Sequence, residues 1–197
     1  MKKYCLSFSA AAFIAIGALM TPDVLRSQTA DNRELFDPKS LGEWTHAGDA
    51  NWSVMDGVMQ ATKGNGYLVS KKQCTDFELR AEIWVDEKAN SGIFIRCQDP
   101  ERPSTKSGYE VNIFDERPDP SFGTGAIVNV ASVSPMPKAG GKWNVMEITA
   151  KGSQFTVVLN GVTTVNKAED KTFASGYIGL QYGAGVVKFR KIEIKQI

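Results

Sequence analysis

Hydrophobic and polar residues alternate with a period of two along much of the chain after residue 31. The clearest case is the run 77–85, where apolar side chains take one side and mostly polar ones the other: Phe77, Leu79, Ala81, Ile83 and Val85 against Glu78, Arg80, Glu82 and Trp84. A period of two predicts a β-strand with one buried and one exposed face. The same reasoning predicts strands at 92–97, 109–114, 125–130, 142–150, 176–181 and 186–195. No stretch after residue 31 shows a sustained helical period with capping residues.

Two dipeptides mark tight β-hairpins. Asp56-Gly57 and Asn160-Gly161 each separate two short alternating runs, and such pairs favour type I′ turns, in which both central residues have positive φ. About a dozen short strands joined by turns predict an all-β fold, either a two-sheet sandwich or a barrel. The sequence has no internal repeat and no shift in composition, so residues 31–197 are predicted to form one domain.

The first thirty residues have the composition of a secretory signal peptide. Lys2 and Lys3 precede an apolar stretch over 6–20, and Ala30 is an acceptable residue before a cleavage site. The apolar stretch is short for a bilayer span and suits a signal core. We therefore expect residues 1–30 to be removed from a periplasmic or secreted protein that has no membrane segment after cleavage. An uncleaved membrane anchor is the alternative.

Composition and charge exclude several classes of protein. The chain has 23 Lys and Arg against 22 Asp and Glu, a net charge of +1, which argues against nucleic-acid binding because phosphate neutralisation needs a basic excess. The only histidine, His46, excludes a His-rich metal cluster, and three cysteines are too few for a zinc ribbon or a disulfide scaffold. Cys74 and Cys97 would remain after export, where disulfides can form. Hairpin register does not place them opposite each other, so a disulfide between them is the less favoured alternative.

Polar side chains on three predicted strands suggest a carbohydrate site. If strands 77–85, 92–97 and 109–114 are neighbours, their outward residues form one polar face with these members: Glu78, Arg80, Glu82, Trp84, Phe94, Arg96, Glu110 and Asn112. Sugars bind such faces because their apolar ring faces stack on aromatic side chains and their hydroxyls pair with donors and acceptors. Trp84 is the predicted stacking platform. The alternative is an ordinary solvated face of an antiparallel sheet.

The run 110–115 is the sharpest local motif. Its acid-x-x-x-x-acid shape, Glu110 to Asp115 with Asn112 between, resembles the active-site strand of laminarinase- and lichenase-type endoglucanases. In those enzymes a bulge turns two acids towards one cleft, and here Phe114 would be the bulged residue. Asn112 stands where that motif has an acid, and Asp115 is shorter than the usual Glu, which disfavours a direct retaining glycosidase.

A wider resemblance covers nearly all of the chain after residue 31. Its most specific blocks are Asn90-Ser91-Gly92-Ile93 followed by Arg96, and Tyr109-Glu110-Val111 followed by Ile113 and Asp115. Other blocks in the same order are 35–37, 52–58, 76–82, 124–127, 143–144, 160–161, 176–181 and 187–192. This pattern resembles the 3-keto-disaccharide hydrolase domain family, in which many members have Gln where Asn112 stands. The resemblance implies a concanavalin A-like jelly-roll sandwich of two antiparallel sheets over residues 31–197.

The resemblance also implies a reaction. A ketone at C3 of a glycoside acidifies the C2 hydrogen; a base removes it, the C1 substituent leaves, and water adds back. On that basis Glu110 is the expected base, Arg96 the stabiliser of the enolate oxygen, Asp115 the acid or water-positioning group, and Asn112 a hydroxyl anchor. The roles of base and acid remain interchangeable. A calcium or magnesium ion is an alternative electrophile to Arg96, but no loop has a recognisable calcium spacing, so no metal ligand is assigned.

Three functions remain open at the level of sequence: a 3-keto-glycoside hydrolase or lyase, a direct glycosidase, and a non-catalytic carbohydrate-binding module. The first implies an oligosaccharide or glycoside substrate and a separate sugar 3-dehydrogenase upstream, since no strand–Gly-x-Gly-x-x-Gly–helix unit for a dinucleotide is present. His46 is a further candidate for substrate binding or proton transfer, because imidazole titrates near neutrality. A loop histidine without a role is the alternative interpretation, and it is favoured.

Overall fold

A computed structural model describes residues 32–34, 37 and 39–197. The predicted signal peptide lies outside these described residues. Within them the chain forms thirteen strands: β1 (Asn32–Glu34), β2 (Trp44–Gly48), β3 (Ser53–Met55), β4 (Val58–Ala61), β5 (Gly66–Cys74), β6 (Phe77–Val85), β7 (Asn90–Cys97), β8 (Tyr109–Ile113), β9 (Lys142–Lys151), β10 (Gln154–Leu159), β11 (Val162–Glu169), β12 (Gly176–Ala184) and β13 (Val187–Gln196). A short 3-10 helix, Pro120–Phe122, lies in the connection between β8 and β9.

The strands form two antiparallel sheets. An eight-stranded sheet has the order β11-β10-β9-β6-β13-β4-β3, with β1 also paired to β13. A five-stranded sheet has the order β2-β5-β12-β7-β8. Most neighbours in both sheets are distant in sequence, as in a jelly roll, and the two sheets enclose one hydrophobic core. The predicted jelly-roll sandwich is confirmed.

Both predicted hairpin turns are formed. Asp56 and Gly57 have φ values of 51° and 73° between β3 and β4, and Asn160 and Gly161 have 52° and 79° between β10 and β11. Positive φ at both central residues is the type I′ geometry that Asp-Gly and Asn-Gly favour.

The core lies between the sheets and follows the predicted alternation. In β6 the five apolar residues of the alternating run are each at most 2% exposed. In the five-stranded sheet Ile93, Val111 and Leu180 belong to the same core, so the residues on either side of them along each strand face away from it. No helix in the described part of the chain is long and apolar enough to span a membrane.

Two local predictions need comment. The segment 125–130 is not a regular strand but an edge segment that pairs with β8 through the bridge Val111–Ile127.

Cys74 and Cys97 end β5 and β7 and lie opposite Gly176 and Tyr177 of β12, which runs between those two strands. The two thiols are therefore not bonded to each other.

Candidate functional site

The predicted polar face is divided between the two sheets. Strand β6 pairs with β9 and β13 in the eight-stranded sheet, whereas β7 and β8 belong to the five-stranded sheet. Arg80 and Trp84 therefore lie on the side of the sandwich opposite to Glu110, and the prediction that they share a face with it is wrong. Trp84 packs there under Lys188, whose Nζ is 4.8 Å from the ring centroid, and Arg80 lies 3.7 Å from a Glu82 carboxylate oxygen.

Arg96 also faces away from Glu110, contrary to the prediction. The register of β7 against β12 shifts between Phe94 and Cys97, and Arg96 takes a φ of 51°, so a bulge reverses the alternation after the core residue Ile95. The guanidinium is 1% exposed and is surrounded by acceptors: the backbone oxygens of Thr75, Gly152 and Phe173 and the carboxylate of Asp76 at 3.0 Å. It also stacks 5.2 Å from the centroid of the core residue Phe155. Arg96 therefore holds loops together and cannot reach the enolate oxygen assigned to it.

Asp115 anchors a loop. Pairing of β8 with β7 is regular from Tyr109 to Ile113, so the predicted bulge at Phe114 does not turn Asp115 along the strand towards Glu110. Its carboxylate instead accepts hydrogen bonds from Thr124 Oγ1 at 2.6 Å and from the N–H groups of Ala139 and Gly140 at 2.8–3.1 Å. These bonds fix the loop 134–141 and leave the carboxylate with little capacity for proton transfer.

Glu110 and Asn112 do lie together, on the side of the five-stranded sheet that faces away from the core. The strand register places the outward residues in two cross-strand rows, Ala47–Tyr67–Gln181–Gly92–Asn112 and Thr45–Val69–Gly179–Phe94–Glu110. We call the side that carries these rows the outer face. On the free edge of β8, Val128 N–H donates to the Glu110 carbonyl at 3.0 Å and Asn112 N–H to the Ala126 carbonyl at 3.0 Å. The backbone of both residues is therefore held on two sides.

The Glu110 carboxyl is buried without a partner. It is 8% exposed, and it makes no hydrogen bond or ion pair with another residue that the structure describes. Burial raises its pKa from 4.5 to about 7, while the positive charge of Arg117 lowers the pKa by a smaller amount. A carboxyl that titrates near neutrality can take up a proton and give it back at physiological pH, which is the property of a general base and acid.

Two amide oxygens from the outer-face row that contains Gly92 also lack partners. Asn112 is fully buried; its Nδ2 donates to the Phe122 carbonyl at 2.7 Å, while Oδ1 has no donor among the described residues. Gln181 Oε1 is also buried and also lacks a donor among the described residues. Buried oxygens of this kind are costly to leave unsatisfied, so their persistence points to a ligand or water that donates to them.

Sequence reasoning did not find Tyr67 and Gln181. Gln181 Nε2 donates to Tyr67 Oη at 3.4 Å, and the Tyr67 ring meets the Phe94 ring edge-on, with centroids 5.3 Å apart. Burial raises the pKa of the Tyr67 phenol, and the charge of Glu110 adds to the rise. Alternation within 66–74 and 176–181 does place both residues on an outward face. Only the tertiary pairing of β5, β12, β7 and β8 shows that it is the face of Glu110.

His46 lies at the other edge of this sheet. It is exposed on β2 and, with Thr45, Val69, Lys71 and Tyr177, lines a shallow depression of about 480 Å³. His46 lies opposite the core residue Leu68 and between the outer-face residues Thr45 and Ala47, so its side chain does not belong to the outer face. Strands β5, β12 and β7 also separate β2 from β8, and the prediction that His46 shares a substrate site with Glu110 is wrong. The depression also includes the outer-face residues Thr45, Ala47 and Val69, and Glu110 is not among its lining residues.

The donor set around Glu110 contains oxygen atoms of the kind that calcium and magnesium bind: one carboxylate and the unpartnered amide oxygens of Asn112 and Gln181. Among residues 39–197 no group of three or more His, Cys, Asp or Glu side chains is placed to hold a metal ion. The same oxygens can equally accept hydrogen bonds from sugar hydroxyls.

Comparison with known proteins identifies the family. Residues 31–195 match the 3-keto-alpha-glucoside-1,2-lyase-like domain, described under the short name 3-keto-disaccharide hydrolase. The chain belongs to this family. A comparison with curated proteins found no match.

Solved structures show the same fold with low sequence identity. A candidate glycosyl hydrolase from Parabacteroides distasonis is 18% identical, with a TM-score of 0.76, covering 91% of this chain and 98% of its own. A second candidate glycosyl hydrolase from that organism is 25% identical, with a TM-score of 0.69 over 84% and 99%. The carbohydrate-binding module CBM66 from Bacillus subtilis is 19% identical, with a TM-score of 0.64 over 78% and 96%. The chain is thus similar to carbohydrate-active proteins and carries a glycosyl hydrolase-like domain.

Proposed function

We propose that the protein is an exported enzyme that cleaves 3-keto-glycosides by removing the C2 proton, expelling the C1 substituent and adding water. The observation that carries the proposal is the Glu110 carboxyl: 8% exposed, without a partner among the described residues, and shifted by burial to a pKa of about 7. A base of this strength suits the C2 hydrogen of a 3-keto-sugar, because the neighbouring ketone makes that hydrogen acidic. Membership of the lyase-like family supports the same chemistry.

The proposed reaction has two halves that share Glu110. In the first, Glu110 takes the C2 proton, the electrons form the C2–C3 enolate, and the C1–O bond breaks to leave a C1=C2 enone. In the second, the hydroxyl of water adds to C1, the remaining proton of that water balances the alkoxide expelled in the first half, and the protonated Glu110 returns its proton to C2, giving the free 3-keto-sugar and an alcohol. Release of the enone before water adds makes the enzyme a lyase, and release afterwards makes it a hydrolase.

The neighbours of Glu110 fit the remaining tasks. Asn112 Oδ1 and Gln181 Oε1 are assigned to sugar hydroxyls, which would satisfy both buried oxygens. The nearby charge of Arg117 replaces Arg96 as the cation for the developing enolate, since it already acts on Glu110. A bound calcium or magnesium ion is the alternative electrophile for the same ketone, and no residue is assigned to it as a ligand.

Two other functions receive less support from the site. A retaining glycosidase needs two carboxyl groups about 5 Å apart, and the Asp115 carboxylate is engaged by Thr124, Ala139 and Gly140. A pure binding module needs no carboxyl that titrates at neutral pH. The substrate itself implies a partner: another enzyme, a sugar 3-dehydrogenase, must oxidise C3 first. Export to the periplasm or beyond would place both activities with extracellular glycosides.

The test is incubation of the purified protein with 3-keto-trehalose and with trehalose in deuterium oxide, followed by NMR, with and without EDTA. We expect sugar release only from the keto form, with deuterium at C2 of the product. Inhibition by EDTA would establish the divalent cation. Cleavage of plain trehalose would overturn the elimination route. Binding without turnover of any 3-keto-glycoside in a panel with different leaving groups would establish a binding module.

A further inference from the structure

We propose that Tyr67 is a catalytic residue that protonates the leaving-group oxygen as the C1–O bond breaks. The inference rests on the proposed 3-keto-glycoside chemistry and supplies the acid that Asp115, held by its loop, does not provide. It also assigns the depression beside β2 to the leaving group.

Tyr67 and Glu110 converge from opposite sides of the outer face. Tyr67 starts on β5, and its ring crosses β12 to meet Phe94 of β7 at a centroid distance of 5.3 Å. Glu110 starts on β8 and leans over β7, because an added Cβ at Gly92 would lie only 3.1 Å from Glu110 Cγ and Oε1. Gly92 and Gly179 lie between the two side chains and have no side chain of their own. Glu110 covers Gly92 and Phe94 lies beside Gly179, so a sugar ring placed on this part of the outer face would have the base on one side and the phenol on the other.

The hydrogen bonds of Tyr67 leave its proton available. Gln181 Nε2 donates to Tyr67 Oη at 3.4 Å, so the phenol oxygen acts as the acceptor in this contact. The Tyr67 O–H has no acceptor among the described residues. Burial and the Glu110 charge both raise the pKa of the phenol, so it is fully protonated at neutral pH. The group is thus placed and protonated as a proton donor requires.

The register of the sheet indicates which oxygen receives the proton. Tyr67 pairs directly with Ala47, and Ala47 and Val69 line the depression that continues to Tyr177. In a glycoside bound with its keto ring at Glu110 and its C1 substituent in this depression, the glycosidic oxygen would lie beside Tyr67. Glu110 removes the C2 proton, the C1–O electron pair goes to the leaving oxygen, and that oxygen takes the Tyr67 proton. In the second half the phenolate takes a proton from the water that adds to C1, and Glu110 returns its proton to C2.

The experiment compares Tyr67→Phe with the unaltered protein on two substrates, methyl 3-keto-glucoside and 4-nitrophenyl 3-keto-glucoside, with the uncatalysed rate subtracted. Loss of a general acid typically costs about 10²–10⁴-fold, so we expect kcat/KM for the methyl substrate to fall by that factor. The nitrophenyl substrate needs no protonation on departure and should lose less than about tenfold. In deuterium oxide, Tyr67→Phe should still exchange the C2 hydrogen of intact methyl 3-keto-glucoside, since Glu110 is unchanged.

The controls separate this inference from the proposed function. Glu110→Gln should abolish both cleavage and C2 exchange, and a thermal melt checks that both variants fold. Equal slowing of the two substrates by Tyr67→Phe, or loss of exchange together with cleavage, would overturn the role of Tyr67 and leave the elimination route standing. An unaltered protein that neither exchanges nor cleaves either substrate would overturn the proposed function, and the inference with it.

Discussion

Glu110 packs over Gly92. The two residues lie on adjacent strands, and a Cβ added at Gly92 would come within 3.1 Å of Glu110 Cγ and Oε1 and 3.2 Å of the Val111 carbonyl oxygen. The glycine is therefore needed for space, and its backbone φ lies outside the left-handed region. The position of the base candidate therefore depends on the absence of a side chain on the neighbouring strand, because the Glu110 side chain occupies the space that a Cβ at residue 92 would need.

Gly92→Ala should displace the Glu110 carboxyl without preventing folding. A shift of about 1 Å in a reacting group costs on the order of 10²-fold in rate, so we expect kcat for a 3-keto-glycoside to fall by about that factor. Gly42→Ala is the matched control, because its new Cβ would meet only Ser40 Oγ at 3.3 Å and would contact neither Glu110 nor Tyr67. Unchanged turnover in Gly92→Ala with an intact fold would show that Glu110 is not positioned for catalysis.

The pH profile should report the Glu110 carboxyl. Only the ionised form accepts the C2 proton, so kcat/KM should rise with pH and level off above an apparent pKa of about 7. The positive charge of Arg117 lowers the pKa of Glu110, so Arg117→Met should move the midpoint to higher pH as well as reduce the plateau. Lys151→Met removes an exposed charge on β9 of the other sheet and should leave the midpoint in place. A midpoint that moves downwards in Arg117→Met would contradict this assignment.

Glu110→Gln should stabilise the fold at alkaline pH. The pKa of Glu110 is about 7 in the folded protein against 4.5 for the ordinary group, so the folded state binds the proton more tightly. The cost of the charge is therefore absent below about pH 4.5, grows between pH 4.5 and 7, and is complete above pH 7. A rise of this size corresponds to at most about 3 kcal/mol, or several degrees in Tm for a domain of this length. Melting curves of both proteins at pH 5 and pH 8 test this; a Tm difference that is equal at the two pH values would refute the buried-carboxylate cost.

Local sequence features predict what local interactions decide. The strand spans, the alternation in β6 and the two type I′ turns depend on residues close together in the chain, and each was predictable. Membership of β6 in the eight-stranded sheet is different, because it is fixed by pairing with β9 and β13, which lie about 60 and 110 residues further along. Because of that pairing, Arg80 and Trp84 lie on the eight-stranded sheet, on the side of the sandwich opposite to Glu110.

A single bulge explains why Arg96 was misassigned. The alternation rule puts Phe94 and Arg96 on one face, but it assumes one residue per position on each strand. An extra residue in β7 opposite β12 reverses the order, and the positive φ of Arg96 marks the place. A positive φ is uncommon for arginine, so the sequence gives no signal for this conformation. The interior acceptors from Thr75, Asp76, Gly152 and Phe173 that hold it come from distant segments.

Asp115→Asn should weaken the fold more than the chemistry. An amide in place of the carboxylate loses part of its acceptor capacity, while the Thr124 hydroxyl and the N–H groups of Ala139 and Gly140 still need acceptors. We expect a loss of about 1–3 kcal/mol in unfolding free energy and less than tenfold in kcat at temperatures where the variant is folded. Asp56→Asn, in an exposed type I′ turn that accepts either residue, is the control for stability. A loss of activity of 100-fold or more at native stability would restore Asp115 as the acid.

Arg96→Met should be the most destabilising of these changes. The guanidinium satisfies the carbonyl oxygens of Thr75 and Gly152 and pairs with Asp76, all from a position that is 1% exposed. The Asp76 carboxylate left behind is 32% exposed and can be solvated, but each partly buried carbonyl oxygen that loses its donor costs about 1–3 kcal/mol, so the combined loss corresponds to a fall of roughly 10 °C in Tm. Arg96→Lys keeps the charge but has a single ammonium in place of the fork, so it should lose less and remain measurable if the Met variant does not fold. Because Arg96 contacts no residue of the outer face, the folded fraction of either variant should retain the kcat of the unaltered protein, with the active fraction measured by titration. A variant that keeps its Tm but loses kcat would place Arg96 back in the reaction and contradict the position of its side chain.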